Sequence, residues 1–145
     1  MKQEQKSLTP GSTHRSSHGP VTTTQLVKYA GASGDFSRLH FDYPFVREAG
    51  LEGVLVHGML TMAFTASCLA EHVGEEGTVT ELSGRFLAPV YAGQTVDTVS
   101  TVIECEGELT RFELTAQVGD KVVMRGQASA LRDPGSLANP VGERP

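Results

Sequence analysis

The 145-residue chain has no tryptophan and only two cysteines, and its basic residues are outnumbered by its acidic ones. Cys68 and Cys105 are too few and too far apart for a disulfide framework or a zinc site of paired cysteines. As free thiols they suit the reducing cytoplasm, where we expect the protein to lie. The 12 basic and 17 acidic residues give a net charge of −5, which argues against a nucleic-acid partner.

Residues 53–70 contain no Asp, Glu, Lys or Arg and approach the length of a membrane helix. The stretch nevertheless includes His57 and several hydroxyl side chains, and acidic rather than basic residues flank it. No apolar run precedes it that would predict a secretory signal. We therefore interpret it as a helix buried on nearly every side of a globular fold, and we expect no membrane contact.

The predicted helices all lie in the first half of the chain. A threonine-capped helix over 22–31 is expected to be broken by Gly31 and Gly34. A loop over 33–53 follows, with at most one short helix, and a loop of this length is more often functional than idle. The long buried helix is then predicted over 54–73.

The second half of the chain predicts an antiparallel sheet. Gly119-Asp120 has the composition of a two-residue hairpin turn, and the alternation after it places Val123 and Met124 on opposite faces. Because no crossover helix follows the strands, a parallel sheet is excluded, and an α+β fold results in which the sheet must curl around the apolar helix. The predicted segments are 1–20, a polar tail or a strand leading into the fold; 21–132, a single folded domain; and 133–145, a loose tail.

The strongest candidates for chemistry are Asp35 and His40, five residues apart in the loop. On an α-helix that spacing would separate them by about 140°, but a loop that begins at Gly34 can bring them together. A carboxylate and an imidazole that converge on one point can hold and activate a water. A backbone-capping aspartate beside a half-buried histidine would show the same pattern.

A second candidate is His57-Gly58-Met59, at the start of the long helix. A helix N-terminus offers unpaired N–H groups, and Gly58 would let a ligand carbonyl approach its own N–H as in an oxyanion hole. Tight packing of Gly58 against the sheet is the alternative, and His57 is expected to bond the preceding loop. The spacing of Asp35, His40 and His57 is not that of metal ligands, so no metal is expected.

Together these motifs resemble the hydratase signature of the MaoC-like hotdog family. That family includes the (R)-specific enoyl-CoA hydratases and the β-hydroxyacyl dehydratase subunits of mycobacterial fatty-acid elongation. The likeness covers roughly residues 22–131. The segments that carry it are YAGASGD at 29–35, His40 and Asp42, VHGMLTM at 56–62, and RFLAPVYAGQ at 85–94.

The resemblance implies a single hotdog domain, with an antiparallel sheet wrapped around a long central helix, and a homodimer or, alternatively, a heterodimer. It implies that Asp35 and His40 hold the water that adds to a trans-2-enoyl thioester, while the Gly58 N–H receives the thioester carbonyl. The reaction would be reversible hydration to an (R)-3-hydroxyacyl thioester, in fatty-acid metabolism, on coenzyme A or acyl-carrier protein. No cofactor is implied, because the carbonyl itself is the electron sink.

The loop departs from the family pattern at Ser37-Arg38, where Asn-Pro is common in the family. Proline would stiffen the loop by fixing φ, whereas Arg38 is expected to pair with Asp42 or to contact a phosphate of the acyl carrier. The candidate substrate-binding residues are Ser37, Arg38, His57 and Met59.

Two other functions remain open on the same fold. A non-catalytic or partner-stabilising subunit of a heteromeric dehydratase would tolerate the altered loop, but it would have little need of Asp35 and His40. A thioesterase would need water at the carbonyl rather than at the β-carbon, which the motifs do not favour.

Overall fold

The computed structural model describes residues 8–75 and 77–132. The predicted tail at 133–145, residue 76 and residues 1–7 lie outside the described residues. The described elements are β1 (Thr13–His18), α1 (Thr23–Ser33), a 3-10 turn (Arg38–His40), α2 (Tyr43–Glu48), α3 (Gly58–Val73), β2 (Gly77–Phe86), β3 (Val96–Glu106), β4 (Leu109–Val118) and β5 (Lys121–Arg132).

The strands form one antiparallel sheet in the order β1-β3-β4-β5-β2, which confirms the predicted α+β architecture. The turn at Gly119-Asp120 joins β4 to β5 as expected, with Val118 paired to Lys121. β1 comes from the polar N-terminal segment and pairs with β3 along one edge of the sheet. β2, which follows α3 in the chain, forms the opposite edge.

The helix α3 packs against the sheet with one face rather than on every side. Leu60, Phe64 and Leu69 are buried, whereas Met59 is 56% exposed and Ser67 lies at the surface. The buried positions recur at the three- and four-residue spacing of a single helix face. The prediction of burial on nearly every side was therefore wrong. No helix in the described part of the chain is long and apolar enough to cross a membrane.

Two helix boundaries differ from those predicted. α1 continues through Gly31 and ends only at Gly34, whose φ of 76° is the left-handed conformation of a helix C-cap. α3 begins at Gly58 rather than at Val54, because the preceding segment is extended. There the Val56 N–H donates to the carbonyl of Val90 at 2.8 Å. Backbone groups that pair across strands are not available to a helix.

A β-bulge in β5 overturns the predicted alternation of Val123 and Met124. Ala116 pairs with Met124 and Gln117 pairs with Val122, so Val123 has no partner opposite it. Both Val123 and Met124 are buried. A bulge inserts one extra residue into a strand and re-aims its side chain, which periodicity along the sequence does not reveal.

The close approach of β2 and β5 at Gly84 and Gly126 predicts a stability difference between two glycine substitutions. A Cβ on Gly126 would collide with the carbonyl oxygen of Ser83 on the neighbouring strand. We expect Gly126→Ala to destabilise the fold by roughly 1–3 kcal/mol, the usual range for overpacking.

The matched control is Gly31→Ala, since a Cβ on Gly31 of α1 would meet nothing within 4 Å. Alanine should stabilise the helix there by roughly 0.5–1 kcal/mol. Urea unfolding of both variants checks the pair. Equal urea midpoints for Gly126→Ala and Gly31→Ala would show that the contact between β2 and β5 at Gly126 is not tight.

Candidate active site

The site lies where the loop after α1 returns to the N-terminus of α3. The extended segment before α3 is bonded to the 3-10 turn, because the Leu55 N–H donates to the carbonyl of Leu39 at 2.8 Å. The same segment is bonded to the strand-like segment around Val90 through Val56. The loop residues are thereby held against the start of the central helix.

Asp35 is oriented by local hydrogen bonds of the loop. Its N–H donates to Ser33 Oγ at 3.2 Å, and its Oδ1 accepts from the Ser37 N–H at 3.2 Å. This is the self-capping turn that aspartate commonly makes with the backbone two residues on. The other carboxylate oxygen, Oδ2, faces His40, and the side chain is 52% exposed.

The His40 ring has a defined tautomer. Its Nδ1 lies 2.8 Å from the carbonyl oxygen of Leu55, which can only accept, so Nδ1 carries the proton. In the neutral ring Nε2 is then an acceptor, and it lies 3.5 Å from Asp35 Oδ2. That distance exceeds a direct hydrogen bond, but two acceptors placed in this way can take both hydrogens of one water.

A largely apolar cavity of about 330 Å³ adjoins His40. Gly58, the first residue of α3, lines it, and His57 makes no side-chain cap to the helix. The N–H groups of the first helical turn have no acceptor within the helix and carry the positive end of its dipole. The lining residues are His40, Leu55, Val56, Gly58, Thr61, Phe86, Ala88, Pro89, Val90 and Val123.

The absence of a side chain at Gly58 keeps this end of the cavity open. A Cβ there would lie 3.3 Å from the ring of Phe86, so Gly58 packs closely against β2 and also lines the cavity. The Phe86 side chain remains 44% exposed, although it forms part of the cavity wall.

None of the four predicted substrate-binding residues, which are Ser37, Arg38, His57 and Met59, lines the cavity. Ser37 is exposed and contributes its N–H to Asp35, and Met59 is exposed on α3. Neither is among the residues that line the cavity.

Arg38 pairs with Asp42, one of the two roles expected for it. Its Nη2 lies 2.8 Å from Asp42 Oδ2, and its guanidinium lies 4.3 Å from the Phe45 ring centroid. Asp42 also caps α2, with Oδ1 accepting from the Phe45 N–H. That backbone hydrogen bond, followed by Arg38, lowers the pKa of the Asp42 carboxyl.

His57 is buried behind the loop that carries Asp35 and His40 rather than in the cavity. Its Nε2–H donates to the backbone carbonyl of Asp35 at 3.1 Å, and its ring stacks on His40 with 3.7 Å between centroids. Burial is the main cause that lowers the pKa of His57 below its ordinary 6.5. The sequence prediction that it bonds the preceding loop agrees with this contact.

Thr61 is a cavity residue that the sequence analysis missed. It is only 2% exposed, and it lines the cavity one helical turn after Gly58. Residues three positions apart lie on the same face of a helix, so the spacing from Gly58 was the available signal.

Asp35, His40 and His57 also offer ligand atoms that lie within 4.8 Å of one another. One nitrogen of each ring is already bonded to a backbone carbonyl. The two rings are stacked with 3.7 Å between centroids and 18° between planes, so their in-plane lone pairs lie in two nearly parallel planes. A tetrahedral metal needs ligand lone pairs that converge, so this geometry suits a hydrogen-bond network better than a metal.

The family model described as MaoC like domain matches residues 5–127. This range covers most of the chain, including the loop, α3 and most of the sheet. The chain belongs to the MaoC-like domain family.

Named relatives of this MaoC-like domain include two curated enzymes. It is 31% identical over 96 residues to the peroxisomal enoyl-CoA hydratase 2 of Arabidopsis thaliana, covering 65% of this chain but only 30% of the plant protein. It is 27% identical over 114 residues to the (R)-specific enoyl-CoA hydratase of Rhodospirillum rubrum, covering 77% of this chain and 79% of that one.

A solved structure shows the same hotdog fold. The (R)-hydratase of A. caviae superposes with a TM-score of 0.82 at 24% identity, covering 89% of this MaoC-like chain and all but 1% of its own. The likeness confirms the single hotdog domain that the sequence predicts.

The contacts of Arg38 predict that it stiffens the 3-10 turn of this MaoC-like domain. Arg38→Gln should speed amide hydrogen exchange at residues 40–42 by about two- to fivefold, because a solvent-exposed ion pair stabilises only weakly. The Asp42 cap of α2 should persist. Exchange followed by mass spectrometry or NMR checks the effect.

Arg47→Gln is the control for this measurement, since Arg47 of α2 makes no ion pair within the described residues. An equal acceleration in both variants would contradict a specific role for Arg38.

Proposed function

We propose that this protein is a hydro-lyase that adds water reversibly to trans-2-enoyl thioesters and forms (R)-3-hydroxyacyl thioesters. One observation carries the proposal: Asp35 Oδ2 and His40 Nε2, both acceptors, face each other at 3.5 Å beside an apolar cavity. The cavity begins at the open N-terminus of α3, where a carbonyl can be bound.

The acceptor pair would hold the attacking water. One hydrogen of the water points to His40 Nε2 and the other to Asp35 Oδ2, which leaves an oxygen lone pair for the β-carbon of the substrate. As the C–O bond forms, one proton passes to this pair, and the pair delivers a proton to the α-carbon. The product gains one complete water, and the same steps in reverse dehydrate it.

Gly58 would stabilise the electron sink of this addition, which is the thioester carbonyl. Its N–H lies in the first turn of α3, at the positive end of the helix dipole. A thioester carbonyl hydrogen-bonded there carries the negative charge that develops when water attacks the β-carbon. The acyl chain would occupy the apolar remainder of the cavity, including Val90 and Val123.

The family and the named relatives support this class of reaction. Both relatives are named as enoyl-CoA hydratases, one of them as (R)-specific. The substrate carrier is accordingly coenzyme A or an acyl-carrier protein. The two free thiols support a reducing compartment, the cytoplasm.

A homodimer is the proposed working form. β2 is ten residues long and pairs with β5 on one side only, so its outer edge has no strand partner within the described chain. Val79, Phe86 and Leu87 are exposed along or beside it. A long unpaired edge with apolar side chains is a template for pairing with another chain.

The alternative function is a non-catalytic or partner-stabilising subunit of a heteromeric dehydratase, for which the same edge would receive a different chain. The tautomer and the facing acceptors at Asp35 and His40 favour a catalytic chain, because a structural subunit does not need them.

The proposed mechanism predicts that Asp35→Asn and His40→Gln each lower kcat by at least about 100-fold, because each removes one partner of the water. Loss of enoyl-thioester absorbance with trans-2-enoyl-CoAs of increasing chain length measures the activity. Asp120→Asn, an exposed change in the β4–β5 turn, is the control and should leave kcat unchanged.

Retention of wild-type turnover by either site variant would refute the assigned roles. A folded wild-type protein that hydrates none of the substrates, alone or on acyl-carrier protein, would favour the subunit alternative.

The dimer proposal predicts a mass of twice 15.5 kDa in light scattering after gel filtration. Val79→Lys on the β2 edge should shift the protein toward monomer and lower its activity. Ile103→Lys, at an apolar position on β3 that is 46% exposed against 37% for Val79, should do neither. An active wild-type monomer would contradict the proposal, and an inactive one would point to a partner subunit.

A further inference from the structure

We propose that His57 is a positioning residue, which holds Asp35 through its backbone and His40 through its ring so that the two side chains can share one water. This inference rests on the proposed function of the Asp35–His40 pair. It concerns a side chain that is not among the residues lining the cavity.

The geometry places His57 in contact with both members of the pair. Its side chain is 1% exposed, and Nε2–H donates to the Asp35 carbonyl at 3.1 Å. Its ring lies against His40 at 3.7 Å between centroids and 18° between planes. Displacement of His57 would therefore move the backbone of Asp35 and the ring of His40.

Independent restraints hold His57 in place. It is the N-cap residue of α3, so its backbone is fixed by the central helix, with its carbonyl accepting from the Leu60 N–H at 3.0 Å. Tyr29 of α1 packs against the ring with 4.8 Å between centroids. Through His57, the central helix therefore holds in place a loop that has little regular structure.

The hydrogen-bond pattern also favours the neutral form of the His57 ring. Nε2 carries a hydrogen because it faces a carbonyl, and Nδ1 is buried with no hydrogen-bond partner among the described residues. Protonation would add a second buried donor without an acceptor, which is unfavourable. The titratable groups that face the ring are Tyr29 from α1, Asp35 from the loop and His40 from the 3-10 turn.

Because the neighbouring His57 ring is neutral, His40 can become cationic when His40 takes a proton from water. Two stacked imidazolium rings would repel each other strongly at this distance. The pKa of His57, which burial holds below 6.5, keeps that state from forming under neutral conditions.

Substitutions at His57 separate its two contacts. His57→Gln can keep an N–H donor for the Asp35 carbonyl but removes the ring, whereas His57→Phe keeps the stacked ring but removes the donor. We expect His57→Ala to lower kcat by about 100-fold, with KM changed by less than about threefold, because misplacement by about 1 Å has effects of that size. The Gln and Phe variants should lie between Ala and wild type.

His18→Gln is the matched control. His18 of β1 is also stacked on an aromatic ring, that of Phe64 at 4.5 Å, and its Nε2 is likewise buried without a partner among the described residues. An equal loss of kcat in this variant, or a loss in KM rather than kcat, would overturn the inference. A kcat of His57→Gln or His57→Phe that is as low as that of His57→Ala would also overturn the inference.

A readout without substrate separates this inference from the proposed function. Amide hydrogen exchange at residues 35–40, which does not depend on the ring current of His57, should be faster in His57→Ala and unchanged in His18→Gln. If the wild type lacks hydratase activity, the proposed function fails, but the exchange rates still test the positioning. Unchanged exchange in His57→Ala, together with an active wild type, would reject the role of His57 alone.

The pH dependence of stability gives a further check. An unfolded His57 binds a proton near pH 6.5 while the folded ring does not, so wild-type stability falls as the pH drops below that value. His57→Gln removes this group and should flatten the acid side of the stability curve. An unchanged curve would contradict a buried neutral ring.

Discussion

The hydrogen bond from His40 Nδ1–H to the carbonyl of Leu55, 2.8 Å long, fixes which nitrogen of the ring is the acceptor. With the opposite tautomer, Nε2 would point a hydrogen at Asp35, and the two groups would bind each other instead of a water. The carbonyl leaves Nε2 and Asp35 Oδ2 as facing acceptors. The chemistry proposed for the protein follows from that arrangement.

The position of this carbonyl is set by the fold as a whole. Leu55 lies in an extended segment, and the residues on either side of it make backbone hydrogen bonds to Val90 and Ala92. The N–H of Leu55 donates to the 3-10 turn that carries His40. The segment leads directly into α3, which is packed against the sheet through residues such as Leu60 and Phe64. The sheet therefore supports the site through the helix, although neither Asp35 nor His40 lies on one of the described strands.

Sequence patterns were sufficient for the architecture, and they singled out Asp35 and His40, which the structure brings to within 3.5 Å of each other. Spacing alone left Asp35 and His40 ambiguous, because a capping aspartate would look the same; the structure shows that Asp35 both caps the loop and faces His40. The bulge at Val123 and the stacking of His57 on His40 were not predictable. Both depend on contacts between segments far apart in the chain, which periodicity and local propensity do not encode.

The most direct test of the account is to identify the product formed from a trans-2-enoyl-CoA in heavy-oxygen water by chromatography and mass spectrometry. The account predicts an intact (R)-3-hydroxyacyl-CoA with the heavy oxygen on the β-carbon, and no release of free coenzyme A. Free coenzyme A together with a labelled carboxylate would show that water is delivered to the carbonyl. That result would contradict the roles assigned to Asp35, His40 and Gly58.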